Sequence, residues 1–287
     1  MIPISAHSHS GQFCKHASGT LEEVVVEAIA QKFRFYGLSE HIPRQLQSQL
    51  YQEETDLGMQ PSDLFNLFND FLVEASRLKT KYQNDITLAV SLETEWVEHS
   101  LAIIRDLQLR KEIEYIVGSV HHVFETPIDY SYQLFQDLVD KHGLEAVHLA
   151  YFEAQYQMIV EIHPEVIAHF DLIMIWSTET LYTPAVLQLI NRNIEFICSY
   201  GGLFELNARG FNKTCGVYPR KDLVTMMQRN NAHFTVSDDS HGVLDVGKNY
   251  DRMMAYIREC GNLVFNTGIE NVYWPSAKNL NDVLINI

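Results

Sequence analysis

The sequence is short of the features that mark several protein classes. It has four cysteines in 287 residues, Cys14, Cys198, Cys215 and Cys260, and no C-x-x-C pair. That argues against a disulfide framework and leaves reduced thiols of a cytosolic protein as the expectation. No apolar run approaches the ~20 residues that a membrane-spanning helix needs. The opening Met1-Ile2-Pro3-Ile4 lacks the basic start and the apolar stretch of a secretory signal, so a cytoplasmic location without membrane contact is expected. Basic charge is scarce: 21 Lys and Arg stand against 37 Asp and Glu, a formal net charge of −16. Such a surface repels phosphate backbones, and no nucleic-acid partner is expected. Linkers rich in Pro and Gly, low-complexity stretches and internal repeats are missing too, so residues 1–287 read as one domain.

What is present is a rhythm of short apolar runs and longer amphipathic ones. With 46% hydrophobic residues the chain can build a full core. Strands are expected near Ile2–His7, Phe35–Ser39, Ile86–Leu92, Tyr115–Val120, Glu165–Ala168, Leu203–Leu206, His233–Val236 and Leu263–Phe265. Most are short, apolar and bounded by polar residues or Gly, as buried parallel strands are. Helix signals lie between them. Thr20-Leu21-Glu22-Glu23 reads as a capping box. Pro61-Ser62 precedes a helical stripe of Leu64, Phe65, Leu67, Phe68, Phe71, Leu72, Ala75 and Leu78. Thr183-Pro184 and Pro219 mark further helix starts, and Gly261 ends a helix over Lys248–Cys260. Strand–helix alternation along the chain predicts an α/β fold, with a (β/α) barrel favoured over a doubly wound sheet.

Histidine is the unusual count, at thirteen. The residues following the expected strands are His7-Ser8-His9, Glu40-His41, Glu93 and Glu95, His121-His122, His169 and Asp171, Asn207, and Asp238-Asp239-Ser240-His241. A parallel barrel opens all its strand C-termini onto one face, where active sites are built. Imidazole with carboxylate suits Zn, Mn, Fe, Co or Ni. The donors are too many for one four-coordinate ion, and two or three metals sharing a carboxylate would use them. Paired metals ~3.5–4 Å apart are a standard device for hydrolysing phosphate esters. His121 and His122 cannot both point one way from an extended chain, and the spacing does not choose between them. His99, His142, His148, His163 and His233 fall away from the strand C-termini and read as structural. Other phosphatase signatures are missing: there is no D-x-D, G-x-S-x-G, H-E-x-x-H or P-loop, and Cys215 precedes Arg220 by one residue too few for a cysteine-phosphatase loop.

The ordered set His7-x-His9, Ser39-Glu40-His41, Gly118-Ser119-Val120-His121, Ala168-His169-Phe170-Asp171 and Asp239-Ser240-His241 resembles the PHP (polymerase and histidinol phosphatase) family. Ser39-Glu40-His41-Ile42-Pro43-Arg44, Gly118-Ser119-Val120-His121-His122-Val123, Ser199-Tyr200-Gly201-Gly202 and Ser237-Asp238-Asp239-Ser240-His241-Gly242-Val243 look like its histidinol-phosphate phosphatase branch, of fungal type. The resemblance implies a distorted (β/α)7 TIM-like barrel with its metal site at the C-terminal ends of the strands. That is one strand fewer than the apolar runs suggest. It implies three metals: one on His7, His9 and Asp239, a second on Glu93, His121 and His169, with Glu93 bridging, and a third on His16, His41 and His241. His16 sits on no strand end and comes from the resemblance alone.

The implied activity is hydrolysis of L-histidinol phosphate to L-histidinol and phosphate, a late step of histidine biosynthesis. It would use two or three divalent transition metals (Zn, Mn or Fe), with water activated between them as nucleophile. Asp239, His241 or a metal-bound water are the candidates to serve the leaving group, with Asp239 and His241 the candidate catalytic residues. Similar phosphatases carry a phosphate-contacting arginine at the position of Asn212 here. Arg44, Arg209 and Lys213 are therefore the candidate phosphate-binding cations. Glu40, Glu95 or Asp238 would meet the substrate's amine and imidazole. The rival expectations are a PHP phosphoesterase for another small monoester or nucleotide, and a metal-stabilised binding barrel without activity.

Overall fold

The computed structural model of the chain describes residues 3–177 and 181–265. Ile2, at the start of the first expected strand, lies outside them. Eight strands form one sheet: β1 (Ile4–Ser5), β2 (Phe35–Leu38), β3 (Thr87–Glu93), β4 (Tyr115–Gly118), β5 (Val166–Ile167), β6 (Leu203–Asn207), β7 (His233–Ser237) and β8 (Val264–Phe265). Each overlaps an expected strand, and every pairing between neighbours is parallel.

The two ends of the row meet. Ala6 N donates to Val236 O at 3.0 Å, and just above it Ser8–His9 pairs in parallel with Ser240–His241. β8 lies along β7 lower down, against His233 and Phe234. Seven strands therefore curl into a distorted barrel, and the eighth extends the row beyond β7 at its base. Eight apolar runs and a seven-stranded barrel are both correct descriptions of this chain.

Helices cross between the strands, and their starts follow the sequence signals. Thr20 and Glu23 cap Leu21–Ala30 reciprocally, Pro61 opens Pro61–Lys81, and Thr183 caps Pro184–Tyr200. Lys221–Arg229 starts two residues after Pro219. Tyr250–Cys260 ends at Gly261, whose φ of 77° only glycine adopts readily. Among the described residues no helix is long and apolar enough to cross a membrane.

The twofold alternation of a strand divides each one between two environments. On β3, Leu88, Val90 and Leu92 join the apolar layer beneath the helices. Ala89, Ser91 and Glu93 take the other face, toward the barrel interior. The interior floor is a separate apolar cluster of Ala6, Phe35, Ala89, Tyr115, Val117, Val166 and Ala168. Tyr115 crosses this floor and donates its hydroxyl to Ala6 O at 2.7 Å. Gly37 makes room for it, since a Cβ there would lie 2.0 Å from the tyrosine oxygen. Above the floor the inward positions turn polar, and the site begins.

Candidate metal centre and active site

Glu93, the last residue of β3, is the hub. Its side chain is 1% exposed, and its two oxygens face different partners. Oε2 lies 3.3 Å from His7 Nε2, 3.2 Å from His9 Nε2 and 3.0 Å from His41 Nδ1. Oε1 lies 3.1 Å from His169 Nε2 and 3.4 Å from His121 Nε2, and accepts from Ser119 Oγ at 2.6 Å. One carboxylate thus serves two groups of imidazoles, as a bridging ligand must. Five overlapping donor groups have ligand atoms within 4.8 Å of one another: His7, His9 and Asp239; Glu93, His121 and His169; His16, His41 and His241 with Cys14; His9, His41 and Glu93; and His41, Glu95 and His121.

The donors fit divalent metal. Neutral imidazole and carboxylate are the ligands such ions take. His41 Nε2 and Asp239 Oδ1 are buried without a hydrogen-bond partner, which is costly unless a ligand satisfies them. His7 Nε2 and His9 Nε2 stand 2.9 Å apart, as do lone pairs aimed at one point. Burial first, then His41, His9 and Arg209, pushes His16 down to about 2. Burial and Arg209 hold His241 well below the ordinary imidazole range. Both rings are therefore neutral donors. For His7, His41 and His121, burial pulls downward, but the carboxylates around Glu93 prevail and raise the pKa. The carboxylates that hold protons on those rings would equally hold cations, and metal binding would release the protons.

The backbone is strained where the site needs it. His169 and Asp239 have φ of 24° and 47°, a region non-glycine residues avoid at a cost of about 1–3 kcal/mol. His169 N is tied to Glu205 Oε2 at 2.8 Å, and Asp239 N to His7 O at 3.2 Å.

Two carboxylates orient the rings from behind. Glu95 accepts from His121 Nδ1 at 3.2 Å and Tyr51 OH at 3.1 Å, and lies 3.1 Å from His41 Nδ1. Glu205, within β6, faces His7 Nδ1 at 3.0 Å, accepts from Asn207 Nδ2 at 2.9 Å, and also accepts from Ser237 Oγ. Each fixes the tautomer that presents the opposite ring nitrogen to the centre. Glu205 escapes the strand-end pattern, which concerns only the residue after each strand. The signal was there: a fully buried acid inside Leu203-Phe204-Glu205-Leu206-Asn207, on the inward face with Asn207. Cys14 likewise stands at no strand end. Its Sγ lies 3.1 Å from His16 Nε2.

The pocket over the centre is lined by Arg209 and Lys213 beside Asp239 and His241, and by Tyr51, Glu53, Asp129, Tyr130 and Tyr218. Arg209 donates to Asp239 O at 3.2 Å. Asn212 turns away to accept from Asn249 at 3.1 Å, so the cations come from the residues on either side of that position. Arg44 is not in the lining. It is buried, paired with Glu54, and packed 4.3 Å from the Tyr51 ring centroid. Glu40, Glu95 and Asp238 are buried and absent from the lining as well. Asp238 instead accepts from Ser5 Oγ, Tyr36 OH and Gly247 N, and joins loop to barrel. His121 faces the centre, whereas His122 stacks on Tyr51 at 6.0 Å. Asp171 is buried and accepts from Arg220 N. His99, His142, His148 and His163 lie in or at the ends of helices.

A parallel barrel with a buried, carboxylate-bridged imidazole cluster at its C-terminal mouth defines a metal-dependent hydrolase scaffold. Residues 5–209 match the model of the PHP domain family, and the chain belongs to that family. It is 42% identical over 269 residues, 91% of this chain and 87% of the relative, to the Schizosaccharomyces pombe protein named "Probable histidinol-phosphatase". It is 31% identical, over 94% of this chain and 92% of the relative, to the Saccharomyces cerevisiae "Histidinol-phosphatase". Among solved structures, a candidate histidinol phosphatase from Listeria monocytogenes superimposes with a TM-score of 0.75 at 23% identity, covering 87% of this chain and 99% of that one. The histidinol phosphate phosphatase of Lactococcus lactis, complexed with Zn, L-histidinol and phosphate, gives 0.66 at 16% identity, covering 93% and 98%. The distorted TIM-like barrel expected from the sequence is the fold these structures share.

Proposed function

We propose that this chain is a metal-dependent histidinol-phosphatase, hydrolysing L-histidinol phosphate to L-histidinol and phosphate. The observation that carries the reading is the divided Glu93 carboxylate, with His7, His9 and His41 on one oxygen and His121 and His169 on the other. The named relatives, which align with nearly the whole chain, supply the substrate.

His7, His9 and Asp239 would hold one ion, Glu93, His121 and His169 a second, and His16, His41 and His241 a third. When bound, such ions supply activated water at neutral pH and withdraw charge from phosphoryl oxygens. The protein's own residues do the rest. Arg209 and Lys213 place cations in the pocket lining, where they would meet a phosphate dianion. They counter locally an acidic chain that would otherwise repel it. Glu95 and Glu205 keep His121 and His7 in one tautomer. Asp239 and His241 line the pocket beside Arg209; deprotonated as ion-holding groups, they would orient the water that supplies a proton to the leaving alkoxide rather than donate one themselves.

The test is phosphate release from L-histidinol phosphate against a panel of small phosphate esters, with Mn²⁺ or Zn²⁺ supplied. A preference of orders of magnitude for histidinol phosphate is expected; equal slow rates on every ester would overturn the substrate. Arg209→Ala should raise KM about tenfold for phosphate esters, the scale of one lost charge-assisted hydrogen bond. An unchanged KM would place the phosphate on Lys213.

A further inference from the structure

We propose that Glu53 and Asp129, with the Tyr51 and Tyr130 rings, form the part of the pocket that recognises the cationic, nitrogen-bearing end of the substrate alcohol, and so determine specificity. The proposal rests on the phosphatase reading above and adds how the enzyme chooses among phosphate esters.

The pocket lining carries charge of both signs. Its cations, Arg209 and Lys213, suit a phosphate. Its remaining acids, Glu53 and Asp129, belong to none of the metal-donor groups. Glu53 sits in the short helix Gln52–Asp56, in the connection after β2. Tyr130 OH donates to its Oε1 at 3.4 Å. Its other oxygen, Oε2, is shielded from water and has no hydrogen-bond partner. Asp129 precedes Tyr130 in the connection after β4, and its carboxylate has no hydrogen bond or ion pair among the described residues. A shielded carboxylate oxygen without a donor is unfavourable, and a ligand carrying N–H groups would relieve it.

The aromatic pair gives the patch its shape. Tyr51 and Tyr130 lie parallel, 9° between planes and 6.1 Å between centroids. Tyr51 is fixed by its bond to Glu95 and by Arg44 on its ring. Tyr130 is 41% exposed, so its ring is still available to a ligand. A flat cation beside a tyrosine face gains cation–π attraction. Flat ring, amine and N–H donors together describe an imidazolyl amino alcohol. A sugar or glycerol phosphate can offer hydroxyl donors but no positive charge, so it would bring two carboxylates into the closed pocket without a counter-charge, and the discrimination is one of charge. Arg44, expected on the phosphate, stiffens this patch instead.

The experiment is calorimetric binding of L-histidinol itself, without phosphate, to the metal-loaded protein and to Glu53→Gln and Asp129→Asn. Alongside it, kcat/KM is compared between histidinol phosphate and glycerol 2-phosphate for each protein. At least about a tenfold loss of histidinol affinity is expected in each variant, and a similar fall in the kcat/KM ratio. Circular dichroism and metal content identify any variant that misfolds. The proposal is overturned if both folded variants bind histidinol as the parent does, or if the parent does not bind it. Phosphate release from histidinol phosphate by the parent, with unaltered histidinol binding in the variants, leaves the phosphatase reading and removes this one. Variant-sensitive histidinol binding without phosphate release does the reverse.

Discussion

The barrel interior has two ends that obey different rules. At the floor, Ala6, Phe35, Ala89, Tyr115, Val117, Val166 and Ala168 pack as an ordinary apolar plug. One polar atom there, the Tyr115 hydroxyl, finds Ala6 O at 2.7 Å. At the mouth, on the same strands, imidazoles crowd two carboxylates, and buried atoms of His41 and Asp239 lack partners. Strand β3 passes from one rule to the other between Ala89 and Glu93. The floor stabilises the fold by burial. The mouth carries strained backbone at His169 and Asp239 and unsatisfied polar groups, which metal and substrate would compensate. Substitutions at the mouth should therefore move function and metal content, and substitutions at the floor should move stability.

The sharpest division is expected from Glu93→Gln. It removes the charge that both imidazole groups share. Turnover of histidinol phosphate should fall by about a hundred- to a thousandfold, the scale of losing a catalytic electrostatic element. Metal content should drop, with the denaturant midpoint of the metal-free protein little changed. Parent-like activity would show that Glu93 does not bridge. Glu205→Gln comes next. It touches no substrate in this reading, but orients His7 and holds His169 N. Supporting carboxylates of this kind are worth about 10–100-fold in metal affinity. Competition with a chelator should read that loss directly, and excess metal should restore much of the rate. A loss that excess metal cannot restore would give Glu205 a different role.

The legible part of the molecule follows the same division. Apolar runs and caps predict the strands and helices because burial and local hydrogen bonding act over a few residues. The strand-end rule finds His7, His9, His41, Glu93, His121, His169, Asp239 and His241, because a parallel barrel turns sequence position into a common mouth. It leaves His121 and His122 undivided, since only the hairpin His122–Val123/Thr126–Pro127 turns His122 toward Tyr51. Glu205 escapes because it lies inside a strand. Arg44 misleads because its partners, Glu54 and Tyr51, reach it from a helix and a loop whose packing no local pattern encodes. Glu53 and Asp129 are likewise brought together by connections after different strands.

The floor supplies the smaller effects and the check on the comparison. Gly37→Ala would put a methyl group 2.0 Å from Tyr115 Oη and 2.8 Å from the Ala6 backbone. Backbone cannot step aside as a flexible side chain can, so overpacking should cost about 1–3 kcal/mol of unfolding free energy. Tyr115→Phe removes the donor to Ala6 O while keeping the ring, and should cost about 1 kcal/mol. Its ordering below Gly37→Ala follows from what each leaves behind. The phenylalanine leaves one acceptor unpaired in unchanged packing, whereas the alanine forces strands β1 and β2 apart. Ala6 is next to His7, so the two floor variants also measure how far the mouth is insulated. If the apolar plug absorbs the change, the folded fraction of each binds metal with the affinity of the parent. If Tyr115→Phe weakens metal binding tenfold while costing only about 1 kcal/mol of stability, then the floor positions His7 through β1, and the two ends of the barrel are one device.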